Sequence, residues 1–273
     1  MDKIIFFYHI EKCGGTTFHH LMRYNYPTYF SLSPNYSSKS DLTGGVITKK
    51  EIRRLFRILP FTKGVGGHTL RPSIDYQSVI GKDIFRLTFL REPVSRFLSH
   101  LNYLGLHLYK DKDFDKYMER KKYENFMTKR LAGKEDVEVA KRILIDNFDF
   151  VGFTEMFDES LLILLKLHGK DNFSPFYEKR NVLNRNKDYR RKGNMSEEFL
   201  QRIKDKNDLD IQLYKFAVEN IYERLVSDYG PAFTHDVKQF QKAKEDHRFN
   251  YFRAKAAFFN RALYYSFEKL LHM

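Results

Sequence analysis

"FFYHIEKCGGTTFHHLM", residues 6–22, is the stretch on which the fold turns. The wider run "KIIFFYHI", residues 3–10, is apolar, β-branched and aromatic, and it stops at Lys12, Cys13 and two glycines, which reads as a buried strand running into a turn. After the turn, "TTFHHLMRYN" places Phe18, Leu21 and Met22 at helical spacing. A glycine-rich turn entering a helix aims several backbone N–H groups at one point, where the helix dipole adds partial positive charge. Glycine lets the backbone approach an anion closely, the Thr16 and Thr17 hydroxyls can bond its oxygens, and Lys12 adds a point charge. The design suits a phosphate or a sulfate.

Two common nucleotide loops do not fit. The triphosphate loop G-x-x-x-x-G-K-[ST] has its lysine after the second glycine, whereas Lys12 precedes Gly14 and Gly15. No acidic residue is clearly placed at a strand end to hold magnesium, which disfavours an ATP-dependent kinase, although a kinase with an atypical loop stays open as an alternative. The dinucleotide pattern G-x-G-x-x-G is missing.

The plan recurs further on. "KDIFRLTFLREPVSRFLSHL" carries a second strand at residues 84–90, and Pro93 opens a helix with Phe97, Leu101, Leu104 and Leu108 every three or four residues. Arg91 leaves the strand end where its guanidinium can grip a phosphate by two bonds, and Ser99 lies two helical turns along. The plain alternative pairs Arg91 with Glu92 or a nearby acid and makes Ser99 an ordinary helix serine.

Elsewhere, residues 31–45 read as a polar surface loop, and "TKKEIRRLFRILP" as a helix with a Thr48/Glu51 capping box and a stop at Pro60. "KGVGGHTL" reads as a short glycine-rich strand or loop. Further helices are expected at 113–131, 135–146, 157–168, 197–206 and 209–227, with a strand within 148–155. Strands alternating with helices predict an α/β fold, a P-loop-like parallel sheet flanked by helices, with residues 12–17 and 91–99 meeting at the carboxyl ends of its strands. One domain spans 1–230. Residues 231–273 form a helical C-terminal extension packed on the same domain, with Phe252, Phe259, Leu263, Phe267 and Leu270 at helical spacing. The favoured role for that helix is core packing or homodimer contact, ahead of lying on a membrane.

Composition narrows the partners. Of 273 residues, 48 Lys and Arg against 35 Asp and Glu give a net charge of +13, which favours anionic partners. "KRNVLNRNKDYRRK", residues 179–192, concentrates seven basic residues against Asp188. The single Cys13 rules out an internal disulfide and makes a cysteine metal cluster implausible. No apolar run approaches the ~20 residues that span a bilayer, so the chain is expected to be cytoplasmic, without a transmembrane segment.

Taken together, "HIEKCGGTTF" and "FLREPVSRFLSHL" resemble the 5′-phosphosulfate loop and the 3′-phosphate segment of sulfotransferases that use 3′-phosphoadenosine 5′-phosphosulfate. The closest likeness is to the carbohydrate family typified by heparan sulfate 2-O-sulfotransferase. It continues through "NFMTKRLAG", "FVGFTEMFDESLLILLK" and "NDLDIQLYKFAVENIYERL", and covers roughly residues 3–227. The resemblance implies Lys12 as the catalytic lysine, Gly14, Gly15, Thr16 and Thr17 on the 5′-phosphosulfate, Arg91 and Ser99 on the 3′-phosphate, and His68 of "GGHTL" as the base. It also implies adenine contacts near Gly152–Thr154, with Thr154 among the donor-binding residues, and a basic loop closing over the donor, to which Arg180 belongs. Glu11 stands where the family commonly has proline, Cys13 where it has threonine, and Glu92 where it has aspartate.

The implied activity is O-sulfation of a saccharide or glycoconjugate, an acidic one being suggested by the charge, without a metal. Glu11, His19, His20 and His100 are the rival bases. A nonenzymatic nucleic-acid-binding protein is the other class kept open by charge and aromatic content, but no nucleic-acid motif supports it, so no nucleic-acid partner is expected.

Overall fold

A computed structural model describes residues 3–32, 40–41, 44–107, 119–169, 173–178 and 195–248. Strand β1 (Ile4–Tyr8) is buried along its whole length. Its side chains alternate between two cores, as a period of two requires. Ile5 and Phe7 pack with Phe18, Leu21, Met22 and Phe89, while Ile4, Phe6 and Tyr8 pack with Ile52, Leu55, Phe56 and Tyr76. A strand apolar on both faces belongs inside a sheet covered on both sides.

The strand after the first helix, β2 (Tyr29–Ser31), lies at one edge of that sheet. A two-residue hairpin, β3 (Ser40–Asp41) with β4 (Gly44–Gly45), stands apart. Then come β5 (Gly64–Gly67), β6 (Ile84–Leu90) and β7 (Phe150–Phe153). The five-stranded order is β2-β5-β1-β6-β7, every pairing parallel. Because the chain moves to one side of β1 and then to the other, the strand order reverses there, and the carboxyl end of β1 is where such a sheet opens a ligand crevice.

Helix α1 (Gly15–Asn25) follows β1, α2 (Lys49–Ile58) has the expected Thr48/Glu51 capping box, and α4 (Pro93–His107) follows β6 after the short α3 (Gln77–Ile80). The helices Val137–Asp146, Phe157–His168 and Glu197–Asp205 stand close to their expected bounds. Asp208–Ala217 runs through a π turn, Val218–Tyr222, into Glu223–Tyr229.

Two expectations need correction. The loop expected at 31–45 begins with the last residue of β2 and contains the β3/β4 hairpin. The helix expected at 113–131 is instead a 3₁₀ turn, Lys121–Tyr123, and a separate helix, Phe126–Ala132; residues 108–118 lie outside the described residues. Asn125 causes the break. Its backbone is left-handed, at φ 42, and its side-chain oxygen accepts from the Leu209 and Asp210 amides at 3.0 and 3.3 Å. In return Asp210 accepts from Met127 and Thr128 N–H at 3.0 and 2.8 Å, so two helix N-termini cap each other.

Beyond residue 231, the helix Phe233–Asp246 packs on Phe157–His168, with Lys244 Nζ 2.6 Å from an Asp158 oxygen. Residues 249–273, with the expected helix at Phe252–Leu270, lie outside the described residues. No helix among the described residues is long and apolar enough to cross a membrane.

Candidate functional site

The carboxyl end of β1 gathers most of the sequence-predicted residues. Lys12 and Gly14 both have positive φ, 70° and 74°, and this double left-handed turn reverses the chain into α1. The N-cap of α1 is Gly14, which has no side chain to bond the first-turn amides. Thr16 and Thr17 stand in that turn, half-buried and buried. Thr154, at the end of β7, sets its hydroxyl against Gly14: a Cβ on that glycine would meet Thr154 Oγ1 at 3.5 Å. The same hydroxyl donates to the Leu90 carbonyl at 3.0 Å.

Arg91 leaves β6 beside the loop, and its Nη1 donates to the Lys12 carbonyl at 3.0 Å, which holds the strained lysine in place. The Glu92 carboxylate accepts from the Val94 and Ser95 amides at 3.2 and 2.9 Å and so caps α4. An acid near Arg91 is Glu155, 3.9 Å from Nε, and Nε itself is buried without a hydrogen-bond partner.

Arg96, Ser99 and Tyr103 follow at the helical spacing that puts three residues on one face of α4. Tyr103 lies under Lys12 Nζ, 4.4 Å from ring centre to nitrogen, so this face looks toward the loop. Ser99 is half-buried on it. Arg96 is fully buried, its Nε and Nη1 unpartnered, with only Nη2 donating to the Tyr123 carbonyl.

Lys12 therefore sits among cations. Burial first, then Arg91 and Arg96, lower its pKa to about 8. Among the described residues Lys12 Nζ has no hydrogen bond or ion pair of its own, only the face of Tyr103. Like charges held together in a partly dry place are costly unless an anion joins them.

His68, just past β5, approaches from the other side. Its Nδ1 lies 2.9 Å from the His9 carbonyl, and a carbonyl can only accept, so Nδ1 carries a proton and in the neutral ring the lone pair is on Nε2. Glu11 Oε1 stands 3.6 Å from the same Nδ1. Glu11 is itself gripped by Arg130, through Nε at 3.1 Å and through Nη2. The departure from proline at this position thus carries an ion pair beside the imidazole.

The rival bases are elsewhere employed. Both ring nitrogens of His19 are within hydrogen-bond reach of partners, His9 at 3.1 Å and Tyr29 at 2.8 Å. His100 packs against Tyr123 and Phe126, its pKa lowered to about 3 chiefly by burial. His20 is exposed on α1, and both carboxylate oxygens of Glu11 face Arg130. Cys13 is buried against Met127 Sδ at 4.0 Å, and burial pushes its thiol pKa up, which suits a packing role.

Lys12, Gly14, Gly15, Thr16, Thr17, Arg91 and Thr154 are thus brought together, with His68 beside them and Ser99 on the facing helix; Arg180 lies outside the described residues. Sequence reasoning passed over His9, Arg96 and Arg130. His9 had a signal: it continues the alternation of Ile5 and Phe7, which points it into the α1-side core.

Compared with known proteins, residues 2–217 match the family model described as "Sulfotransferase family". Among curated proteins, nothing matches.

Proposed function

The chain belongs to the sulfotransferase family, and from that premise we propose that it transfers the sulfuryl group of 3′-phosphoadenosine 5′-phosphosulfate to a hydroxyl of a saccharide or glycoconjugate. The kinase and nucleic-acid-binding alternatives are not favoured by the match. One observation carries the choice of donor: Lys12 and Arg91 converge on a helix N-terminus capped by a glycine, and among the described residues Lys12 Nζ has no hydrogen bond or ion pair and Arg91 Nε no hydrogen bond. That donor set fits a nucleotide with two separate phosphate groups.

In this reading Lys12 and the loop from Gly14 to Thr17 hold the 5′ end, and Arg91 and Ser99 hold the 3′-phosphate. Thr154 borders the nucleotide. When bound, the donor supplies an activated sulfur–oxygen bond whose leaving group is a nucleotide phosphate. His68 Nε2 takes the proton of the attacking hydroxyl as the new oxygen–sulfur bond forms, a general-base contribution of about 10²–10⁴ in rate. Lys12 stabilises the charge left on the departing phosphate oxygen, an effect typically worth ~3 kcal/mol. Glu11, held by Arg130, lies close enough to Nδ1 to favour the imidazolium formed in that step. The net charge of +13 favours an acidic acceptor, and the lone buried thiol of Cys13 suits a cytoplasmic setting.

Thermal-shift measurements test the donor. 3′-Phosphoadenosine 5′-phosphate should raise the melting temperature more than ATP or ADP at equal concentration, and Arg91→Ala should remove the difference. Stabilisation by ATP or ADP without stabilisation by the 3′-phosphorylated nucleotide would sink the proposal. For the acceptor, transfer of labelled sulfate to chemically desulfated glycosaminoglycans should be detected with the unmodified chain and be lost in Lys12→Ala and His68→Ala.

A further inference from the structure

His9 has no task in the chemistry above, yet it touches both the base and the phosphate loop. Its ring stacks on His68 with centroids 4.0 Å apart and planes inclined by 32°, and on Phe7 at 5.2 Å. Its carbonyl receives the His68 Nδ1 proton. Its Nδ1 lies 3.1 Å from His19 Nε2, and His19 Nδ1 lies 2.8 Å from the Tyr29 hydroxyl, so the ring is fixed by a chain of hydrogen bonds reaching β2. On the loop side it fills the space above Gly15 so closely that a Cβ on that glycine would overlap the imidazole. Burial holds the pKa of both His9 and His19 well below 6.5, so the pair is neutral and cannot itself be charged by the cations nearby.

We infer that His9 is a positioning residue that locks the phosphate loop at Gly15 to the ring of His68, so that the donor site and the base keep one fixed relation. A ring wedged between the two transmits any displacement of one to the other, and misplacement of about 1 Å between reacting groups costs roughly 10²-fold in rate. This inference rests on the reading of His68 as the base.

Two measurements on the full chain test it without an acceptor. The first is affinity for 3′-phosphoadenosine 5′-phosphate, by calorimetry. Gly15→Ala should weaken it at least about tenfold because the new methyl collides with His9, whereas in a His9→Ala background, where the collision is gone, the same substitution should cost less than about threefold. The second is long-range ¹H–¹⁵N spectra of the imidazoles. His68 should appear as the Nδ1–H tautomer in the unmodified protein and as a mixture of tautomers in His9→Ala; His9→Asn serves for both measurements if the alanine variant is insoluble. An equal cost of Gly15→Ala in both backgrounds, or an unchanged His68 spectrum, overturns the inference and leaves the base reading standing. Full transfer activity in His68→Ala overturns the base reading, and this inference with it, by a separate readout.

Discussion

Lys12 is held in a backbone conformation that non-glycine residues seldom adopt, φ 70, and its ammonium is lowered to about pKa 8 by burial and two arginines. Both are costs to folding that a site can carry when binding recovers them. The sign follows from linkage. An unfolded lysine titrates near 10.5, so the penalty for charging Lys12 in the fold is fully present below about 8, shrinks between the two values and is gone above them. Lys12→Met, which keeps length and removes charge, should therefore stabilise the protein at pH 7 by about 1–2 kcal/mol, the shift being discounted for partial exposure. At pH 10.5 most of the gain should be gone. Urea unfolding at the two pH values decides it, and a gain that persists at high pH would show that the strain lies in packing, not charge. The lysine was legible from its place before two glycines. That its loop would meet residues 91–99 followed from the repeated strand-turn-helix plan, but that Arg96 and Tyr103 in particular turn toward it from that helix was not legible, because no local pattern encodes the contact.

Among the elements, those buried by their own periodicity were readable. β1, β6, α1 and Phe157–His168 present apolar residues at a period of two or near 3.6, and each formed as expected. β5 was ambiguous for a physical reason: "GVGG" has little strand propensity, and it is a strand because its neighbours leave no room for side chains. A Cβ on Gly67 would stand 2.8 Å from Leu32, and one on Gly66 would overlap the Tyr29 hydroxyl. β2 has only three residues, too few to show an alternation. The break at Asn125 was hidden as well, since its cause is the cap it exchanges with Asp210 across 85 residues. That exchange makes a prediction at this scale. Asn125→Ala removes the acceptor for two amides and leaves alanine in a left-handed conformation, so it should cost about 2 kcal/mol in urea unfolding. Asn125→Gly, which keeps the backbone geometry, should recover part of the loss. Equal losses in the two variants would mean that the backbone conformation contributes nothing.

At the scale of the molecule, the two cores on either face of β1 explain why the fold was easier to read than the site: burial is written in periodic runs, whereas the site is assembled at the ends of strands far apart in sequence. The same burial sets the response of the whole protein to acid. His9 and His19 are held neutral well below 6.5, and His100 is lowered to about 3, in each case chiefly by desolvation. For a base whose folded pKa is depressed, the unfolded chain takes up a proton that the folded chain refuses, so stability is full above the unfolded value and falls as pH drops below about 6.5. Three such groups give a slope approaching three protons, each worth ~1.4 kcal/mol per pH unit. Acid also adds to a net charge already at +13, and the resulting repulsion is a competing cause of unfolding. Salt separates the two, because ions screen exposed charges but not a buried imidazole. Unfolding followed from pH 7.5 to 5 should show the same loss of stability at low and high ionic strength, and His100→Phe should reduce its slope by about one proton. A loss abolished by salt would assign acid unfolding to surface repulsion instead.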